Sequence, residues 1–341
     1  MNDVLIVIPC LNEEAHLPDL LAGLVADSGD ALIVVADGGS ADRSRAIVAD
    51  IATRHANVVL LDNPKRVQSA GVNLAVRTYG AGRRWLIRVD AHCGYPRRYA
   101  AGLLATAQAQ GATSVVVPMV TAATGCFQMA AAAAQNSVLG NGGSAHRRLT
   151  AGQWVDHGHH ALFELALYAR VGGYDEGFSH NEDAELDQRL LAGGGRIWLE
   201  PSLALTYWPR TAAGPLFRQY RGYGRGRALN LLRHRAPIKL RQAVPIVIAP
   251  AVAAALLGVV LALVATPWAL VLALPAIGWA GLCLAYGAML GWRARSACVA
   301  ASGWAAMVMH VAWSIGFVGV HLSGARPGSG PPGWEVQGWG A

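Results

Sequence analysis

At 341 residues, 53% of them hydrophobic and only 14% charged, the chain is too long for one small domain and too apolar to stay disordered. Its net charge of +7 invites a nucleic-acid partner, but the basic residues gather beside long apolar runs and the sequence offers no stacking platform next to them, which argues against that class. Five cysteines (Cys10, Cys93, Cys126, Cys283 and Cys298) are scattered without zinc or redox spacing and are expected to be reduced packing residues.

In chain order, the N-terminal part alternates short β-branched runs with helical stretches. Val4 to Ile8, Ala31 to Ala36, Val58 to Leu61, Trp85 to Val89 and Ser114 to Val117 read as strands. Helices are expected to start at Asn12-Glu13-Glu14 and Ser40-Ala41-Asp42, and to cover Gln68 to Tyr79 and Arg97 to Gln110. This alternation predicts an α/β domain with a mostly parallel sheet. Sheets of this kind bind ligands beyond the carboxyl ends of their strands, and Asn12, Asp37 and Asp90 each follow a strand. The stretch from Gly140 to His160 is rich in Gly, His and Arg and reads as a mobile surface loop. A helix from about Asn181 to Ala192 is stopped by Gly193-Gly194-Gly195.

Beyond residue 215 the chain changes character. Arg218, Arg221, Arg225, Arg227, Arg233, Arg235, Lys239 and Arg241 alternate with Phe217, Tyr220, Tyr223, Leu229, Leu231 and Leu232, which suits an amphipathic segment, 216–242, lying on a membrane. Ala243 to Ala265, Trp268 to Trp292 and Ala297 to Leu322 then run 23, 25 and 26 residues without Asp, Glu, Lys or Arg. Each exceeds the roughly 20 residues that cross a bilayer, and three transmembrane helices are expected in preference to buried core helices. Arg293 and Arg295 fill the loop before the third. With basic loops inside, the N-terminal domain faces the cytoplasm, and the Thr266-Pro267 turn and the tail from Ser323 lie outside. No signal peptide is read at Met1-Asn2-Asp3. The chain is thus expected in a bacterial-type inner membrane as a multi-pass protein, with anionic lipid as the partner of its basic residues. The tail, 323–341, is expected to be poorly ordered.

Asp90 and His92 close the fourth strand two residues apart, where both could reach one divalent ion. An ion there would neutralise a departing nucleotide diphosphate. Carboxylate ligands suit Mg2+ and an imidazole tilts the choice toward Mn2+. Read alone, the pair is as readily a strand-end Asp beside a satisfied His. Glu182, Asp183 and Glu185 open a helix, where acidic residues also complement its dipole. Asp156-His157-Gly158-His159-His160 has three imidazoles but lacks the further ligands of a zinc site.

These motifs, in their order, resemble the inverting family-two glycosyltransferases of GT-A fold, in particular the succinoglycan-type bacterial polysaccharide glycosyltransferases. The resemblance covers about residues 3 to 235. It rests on Ile8-Pro9-Cys10-Leu11-Asn12-Glu13-Glu14, Ala36-Asp37-Gly38-Gly39-Ser40, Arg66-Val67-Gln68-Ser69-Ala70-Gly71-Val72-Asn73, Asp90-Ala91-His92, and Gly172-Gly173-Tyr174-Asp175-Glu176-Gly177-Phe178 followed by Asn181-Glu182-Asp183. It implies a GT-A domain over 1–215, a Rossmann-like mixed sheet, ahead of the helical membrane portion. Pro9, Asn12, Glu14, Asp37, Gly39, Gln68, Asn73, Asp90 and Glu182 would serve the nucleotide sugar, with Asp37 accepting from the base. Asp90 and His92 would hold Mn2+ or Mg2+, although His92 stands where the family carries a second Asp. Asp183 would be the catalytic base, a role that suits a carboxylate facing an attacking hydroxyl. His159 and His160 would border the acceptor, and Arg147 and Arg148 would hold phosphate or coat the loop. Arg218-Gln219-Tyr220-Arg221-Gly222 falls where processive relatives carry Gln-X-X-Arg-Trp. Arg221 or Arg225 could still clamp a diphosphate, while the missing Trp argues against long-chain synthesis.

The expected function is transfer of a hexose, carried on UDP, to a polyprenyl-diphosphate-linked acceptor in surface-glycan synthesis. The rivals are a polyprenyl-phosphate sugar synthase and a catalytically silent sensor of nucleotide sugar.

Overall fold

The computed structural model describes residues 1–141, 151–238, 240–328, 331 and 334. Two compact units emerge, one of Met1–Val120, Ala145–Tyr207 and Gly328–Ala341, the other of Thr121–Ser144 and Trp208–Pro327. The first unit includes residues up to Tyr207, and the internal segment Thr121–Ser144 belongs to the second.

The elements begin with β1 (Val4–Cys10), α1 (Leu17–Asp27), β2 (Leu32–Asp37), α2 (Ser44–Arg54), β3 (Val58–Asp62), α3 (Gln68–Tyr79), β4 (Trp85–Arg88), β5 (Cys93–Gly94) and α4 (Tyr99–Gln110). They continue with β6 (Ser114–Val117), β7 (Met119–Thr121), α5 (Cys126–Gln135), α6 (Val138–Asn141), β8 (Gln153–Val155), β9 (His159–Glu164), α7 (Leu165–Arg170), α8 (Glu182–Ala192), β10 (Ile197–Leu199) and β11 (Leu205–Tyr207). The helical unit adds α9 (Ala213–His234), α10 (Leu240–Ile246), α11 (Ile248–Val264), α12 (Leu274–Ala294), α13 (Ala297–Ala300) and α14 (Ser302–Leu322).

The eight-stranded sheet has the order β3-β2-β1-β4-β9-β6-β10-β8. β1 to β4 are parallel, β9 is antiparallel to both β4 and β6, and β8 is antiparallel to β10. This is the mixed sheet of a GT-A-like domain. β1 is apolar without alternation because it is covered on both faces. Val4, Ile6 and Ile8 pack with Leu17, Leu21 and Leu103 on one side, while Leu5 and Val7 pack with Val72, Tyr168 and Leu186 on the other. Register aligns Cys10 with Asp37, Asp37 with Asp62, and Val7 with Arg88, so the polar strand ends emerge along one edge.

Two expectations are corrected here. The loop expected up to His160 contains β8 and the start of β9 within its described part; the sheet recruits them, and no local periodicity announced that pairing. Residues 142–150, which include Arg147 and Arg148, lie outside the described residues. α1 and α2 also begin later than expected, because Asn12 takes a positive φ of 57° and its side chain accepts from Ala41 N–H instead of capping a helix.

In the helical unit, three helical segments are long and apolar enough to cross a membrane: Gln242–Val264, Pro267–Ala294 and Ala297–Leu322. The basic segment forms one continuous helix, α9, with Leu216, Gly224, Gly226, Ala228 and Asn230 buried. It lies along α14 rather than only on a lipid surface. Backbones meet there: a Cβ on Gly224 would stand 1.9 Å from Trp313 O, and one on Gly316 would stand 2.0 Å from Arg221 O. The expectation that all cysteines are reduced is overturned for two of them, because Cys126 and Cys298 form a disulfide with Cα atoms 5.0 Å apart, joining residues 172 positions apart in sequence. Cys10, Cys93 and Cys283 are free and buried.

The glycine contact yields a test. Gly224→Ala must push α9 off α14 and should cost about 1–3 kcal/mol, read as a lowered unfolding midpoint in detergent. Gly319→Ala, where nothing lies within 4 Å, serves as the control and should not lower it. Equal midpoints for both variants would contradict the close packing.

Candidate active site

The first part of the site is the edge made by β1 and β2. Asp37, 1% exposed, ends β2 and accepts from Gly39 N–H (3.0 Å), Ser40 Oγ (2.5 Å) and Arg45 Nη1 (2.7 Å). Burial works to raise its pKa, but these donors outweigh it and hold the carboxyl below the usual range. Asn12 and Glu14 stitch the β1 loop to the β2 loop: Asn12 Oδ1 accepts from Ala41 N–H, and Glu14 Oε2 from Arg43 N–H. Pro9 lies in β1 opposite Ala36.

The second part is built around Arg88, the last residue of β4, which is only 5% exposed. Its Nε and Nη2 donate to Asp90 Oδ1 at 3.3 and 3.2 Å, and its Nη1 donates to Asp183 Oδ1 at 2.7 Å. Glu182 Oε1 stands 3.8 Å from Nη2. One guanidinium thus gathers three carboxylates from two distant parts of the chain. Burial works against its charge, yet Asp183, Tyr174, Asp90 and Glu182 outweigh it and keep its pKa well above the ordinary value. Asp90 is steadied further by Gln68, whose amide donates to Oδ1 at 3.0 Å, and by Tyr95, whose hydroxyl accepts from Asp90 N–H at 2.7 Å. Burial would raise the pKa of Asp90; Arg88, then His159 and His92, hold it lower.

The third part is the turn that delivers Asp183. Gly172 and Gly173 take φ of 91° and 62°, a succession that side chains resist. Asn73 holds the turn from α3: its amide donates to Tyr174 O and Glu176, and its Oδ1 accepts from Tyr168 Oη and Tyr174 N–H. Asn73 is 1% exposed. Its place is therefore inside this turn, one step back from any ligand. Arg189 closes the other side, pairing with buried Glu185 and donating to the carbonyls of Val171 and Gly173. Tyr174 Oη then donates to Asp183 Oδ1 at 2.8 Å.

Histidines complete the constellation. His159 opens β9 just before an irregularity opposite Val115 and Val116, where Ala161 is left without a partner in the register. Such bulges re-aim side chains beside sites. His159 Nε2 is 3.5 Å from Asp90 Oδ2, and its Nδ1 is 3.8 Å from Asp183 Oδ2. The side chain of His160 lies outside the described residues. His157 Nδ1 meets the buried Asp187 Oδ2 at 2.5 Å, one helical turn beyond Asp183. His92 is turned toward β1, with Nδ1 3.1 Å from Glu13 Oε1 and its ring edge-on to Tyr207. Arg221 and Arg225 are exposed on α9 and belong to the helical unit.

Among the described residues, no three His, Cys, Asp or Glu side chains stand close enough to hold an ion by themselves. The charge balance nevertheless fits a cation, since three carboxylates share one guanidinium. Asp90 with an imidazole supplies a donor set suited to a divalent ion that is also ligated by phosphate.

Comparison with known proteins follows this geometry. Residues 5–170 match the model for "Glycosyl transferase family 2". The chain is 50% identical over 315 residues to "Succinoglycan biosynthesis protein ExoA" of Rhizobium meliloti (strain 1021), covering 92% of this chain and 93% of that protein. This chain belongs to glycosyl transferase family 2. In fold it is similar to the mannosyltransferase PcManGT from Pyrobaculum calidifontis, solved in complex with GDP-Man and Mn2+. The TM-score is 0.51 at 20% identity, over 91% of this chain and 87% of that one.

Within this family 2 glycosyltransferase, sequence reading brought Asp90, Asp183, Glu182, Gln68 and His159 forward, and the structure gathers them. It missed Arg88, Tyr174 and Glu13 as members of the site. Arg88 carried a signal: an arginine ending the apolar run Trp85-Leu86-Ile87 must be paired if the strand is central. Glu13 gave none beyond its place in the loop.

Glu182 offers a pH test. Burial, then the charge of Asp183, pushes its pKa from the ordinary 4.5 up to about 7, against the pull of Arg88. Below about pH 4.5 folded and unfolded chains both hold this proton. As pH rises toward 7 only the folded chain keeps it, so its stabilising contribution is lost across that window. Glu182→Gln should flatten the decline in unfolding midpoint between about pH 5 and pH 7.5. An unchanged slope would contradict the assignment.

Proposed function

We propose that this enzyme transfers a hexose, with inversion, from UDP to a polyprenyl-diphosphate-linked acceptor during assembly of a succinoglycan-type polysaccharide. The convergence of Asp90 and Asp183 on Arg88 carries the reading, because displacement at an anomeric carbon needs a leaving-group side and a proton-accepting side within one site. The relative named for succinoglycan biosynthesis supports the pathway.

In this reading Asp37 and the loops stitched by Asn12 and Glu14 receive the nucleotide, with Pro9 and Gly39 at their base. Arg45 must then yield one of its contacts with Asp37 to the incoming base. Asp90, steadied by Gln68 and joined by the imidazole of His92 or His159, would hold Mn2+ or Mg2+. Such an ion neutralises the charge that collects on the departing diphosphate. Asp183, held at Oδ1 by Arg88 and Tyr174, presents its carboxylate to the acceptor hydroxyl. It takes the hydroxyl proton as the oxygen attacks the face opposite the leaving group. His159 lies beside both carboxylates and contacts the acceptor. Long apolar helices keep the enzyme at the membrane that carries the lipid acceptor. Arginines beside those helices support a cytoplasmic catalytic domain, the side on which basic loops are retained.

Asp183→Asn should lower turnover about 10²- to 10⁴-fold while donor affinity stays within a factor of two or so of wild type. The assay combines purified enzyme, a panel of nucleotide hexoses and inner-membrane lipid extract, with the product identified by mass. Wild-type turnover in the variant would refute the base assignment, and a product on polyprenyl monophosphate would refute the acceptor.

A further inference from the structure

We infer that Trp334, close to the end of the chain, is a positioning residue for Asp183: its indole holds shut the turn that delivers this carboxylate. The inference rests on the reading of Asp183 as the base.

The turn needs holding. Between α7, which ends at Arg170, and α8, which begins at Glu182, the chain forms neither helix nor strand. Gly172 and Gly173 take φ of 91° and 62° within it, and a glycine pair has much conformational freedom to lose. Side-chain and tail contacts must therefore supply the order that backbone ladders do not.

Trp334 belongs with the sheet unit, whose last portion is Gly328–Ala341. Its backbone N–H donates to Ala169 O at 3.1 Å, and the same carbonyl accepts from Gly172 N–H at 2.9 Å, so tail and turn share one acceptor. The partly buried indole packs against the apolar cluster that contains Tyr168, Tyr174 and Leu186. It stands edge-on to Tyr168, with ring centroids 6.0 Å apart, and Arg77 lies 4.7 Å above its face. At Gly173 the fit is tight: a Cβ there would stand 2.2 Å from Trp334 Cη2 and 2.5 Å from Asn73 Oδ1. Gly173 is thus pinched between α3 and the tail.

Each group that the indole meets fastens the turn. Tyr168 Oη donates to Asn73 Oδ1 at 2.7 Å and accepts from Tyr174 N–H at 3.2 Å. Arg77 Nη1 stands 3.7 Å from Glu176 Oε1, which also accepts from the Asn73 amide. Gly173 O accepts from Arg189. From Tyr174 the path to the carboxylate is one bond long, because its Oη donates to Asp183 Oδ1 at 2.8 Å. Removing the indole opens space beside the two glycines, and they are free to move into it. The edge made by β1 and β2 is fastened by its own bonds, Asn12 to Ala41, Glu14 to Arg43 and Asp37 to Ser40. Loss of Trp334 should therefore fall on turnover and spare donor binding, whereas a residue that merely adds stability would weaken both alike.

Two measurements on the full-length enzyme test this. In hydrogen exchange, Trp334→Ala should speed amide exchange at least about tenfold in peptides spanning 168–183 and leave those spanning 4–37 unchanged. Unchanged exchange in 168–183 would overturn the inference whatever the role of Asp183. The second measurement is a cycle on turnover with the nucleotide-hexose panel and inner-membrane lipid extract. In the wild-type background Trp334→Ala should lower kcat about 10- to 100-fold, with the donor KM within about twofold. In the Asp183→Asn background it should change the remaining turnover by less than about twofold, because the group it positions is gone. An equal loss in both backgrounds, or a donor KM that rises in step, would overturn the inference. If Trp334→Ala does not fold, Trp334→Leu, which keeps apolar cover and loses the ring, goes through both measurements with the same expectations. Wild-type turnover in Asp183→Asn would refute the base assignment, while an impaired Asp183→Asn beside an unimpaired Trp334→Ala would refute only the role of Trp334.

Discussion

A guanidinium almost wholly withdrawn from water persists only where carboxylates meet it, and Arg88 is met by Asp90, Glu182 and Asp183. This one ion-pair cluster ties the end of β4 to the start of α8, two elements 94 residues apart at their nearest ends (88 and 182). Everything that the site needs to hold in register passes through it. Asp90 is fixed on one edge of the guanidinium and Asp183 on another, so the distance between the two carboxylates is set by a rigid plane. Burial and the remaining imbalance of charge push the Glu182 carboxyl up to about 7.

Around this hub the chain spends buried polar groups on positioning. Asn73, Tyr168, Tyr174, Glu185 and Arg189 all bond to the Gly172-Gly173 turn or to one another, and Trp334 covers that turn from the tail. Such a network fixes the Asp183 carboxylate more tightly than apolar packing would, because each missing bond leaves a buried group unsatisfied. It also explains why a strained pair of glycines is tolerated in the turn before Asp183. The membrane portion follows a related logic. α9 and α14 are joined backbone to backbone through Gly224 and Gly316, and a disulfide ties α13 to the start of α5.

Much of the fold was legible in the sequence, and the reason is local. β1 to β4 and β6 announced themselves because each is a short apolar run between turn signals, and α3 matched its expected limits, Gln68–Tyr79. β8 to β11 did not, since strands of three to six residues that pair with partners distant in sequence have no pattern of their own. At the site, the acidic residues were legible because carboxylates at strand ends and helix starts are few. Their common partner was not, since Arg88 reads as an ordinary strand residue until the sheet places it between β1 and β9. His92 was read from spacing as able to share one ion with Asp90; that its ring also meets Glu13 and stands edge-on to Tyr207 had no signal in the sequence. The disulfide and the contact of Trp334 with Ala169 were invisible for the same reason, because both join residues that only tertiary structure brings together.

The claim that one guanidinium couples the Asp90 and Asp183 carboxylates is tested most directly by a double-mutant cycle on folding stability, using Asp90→Asn, Asp183→Asn and the combined variant. If Arg88 is shared, the first loss is cushioned by the carboxylate that remains. The combined loss should then exceed the sum of the single losses by about 0.5–3 kcal/mol. Losses that add to within about 0.5 kcal/mol would mean that Asp90 and Asp183 stand independently, and the account of the site would fail.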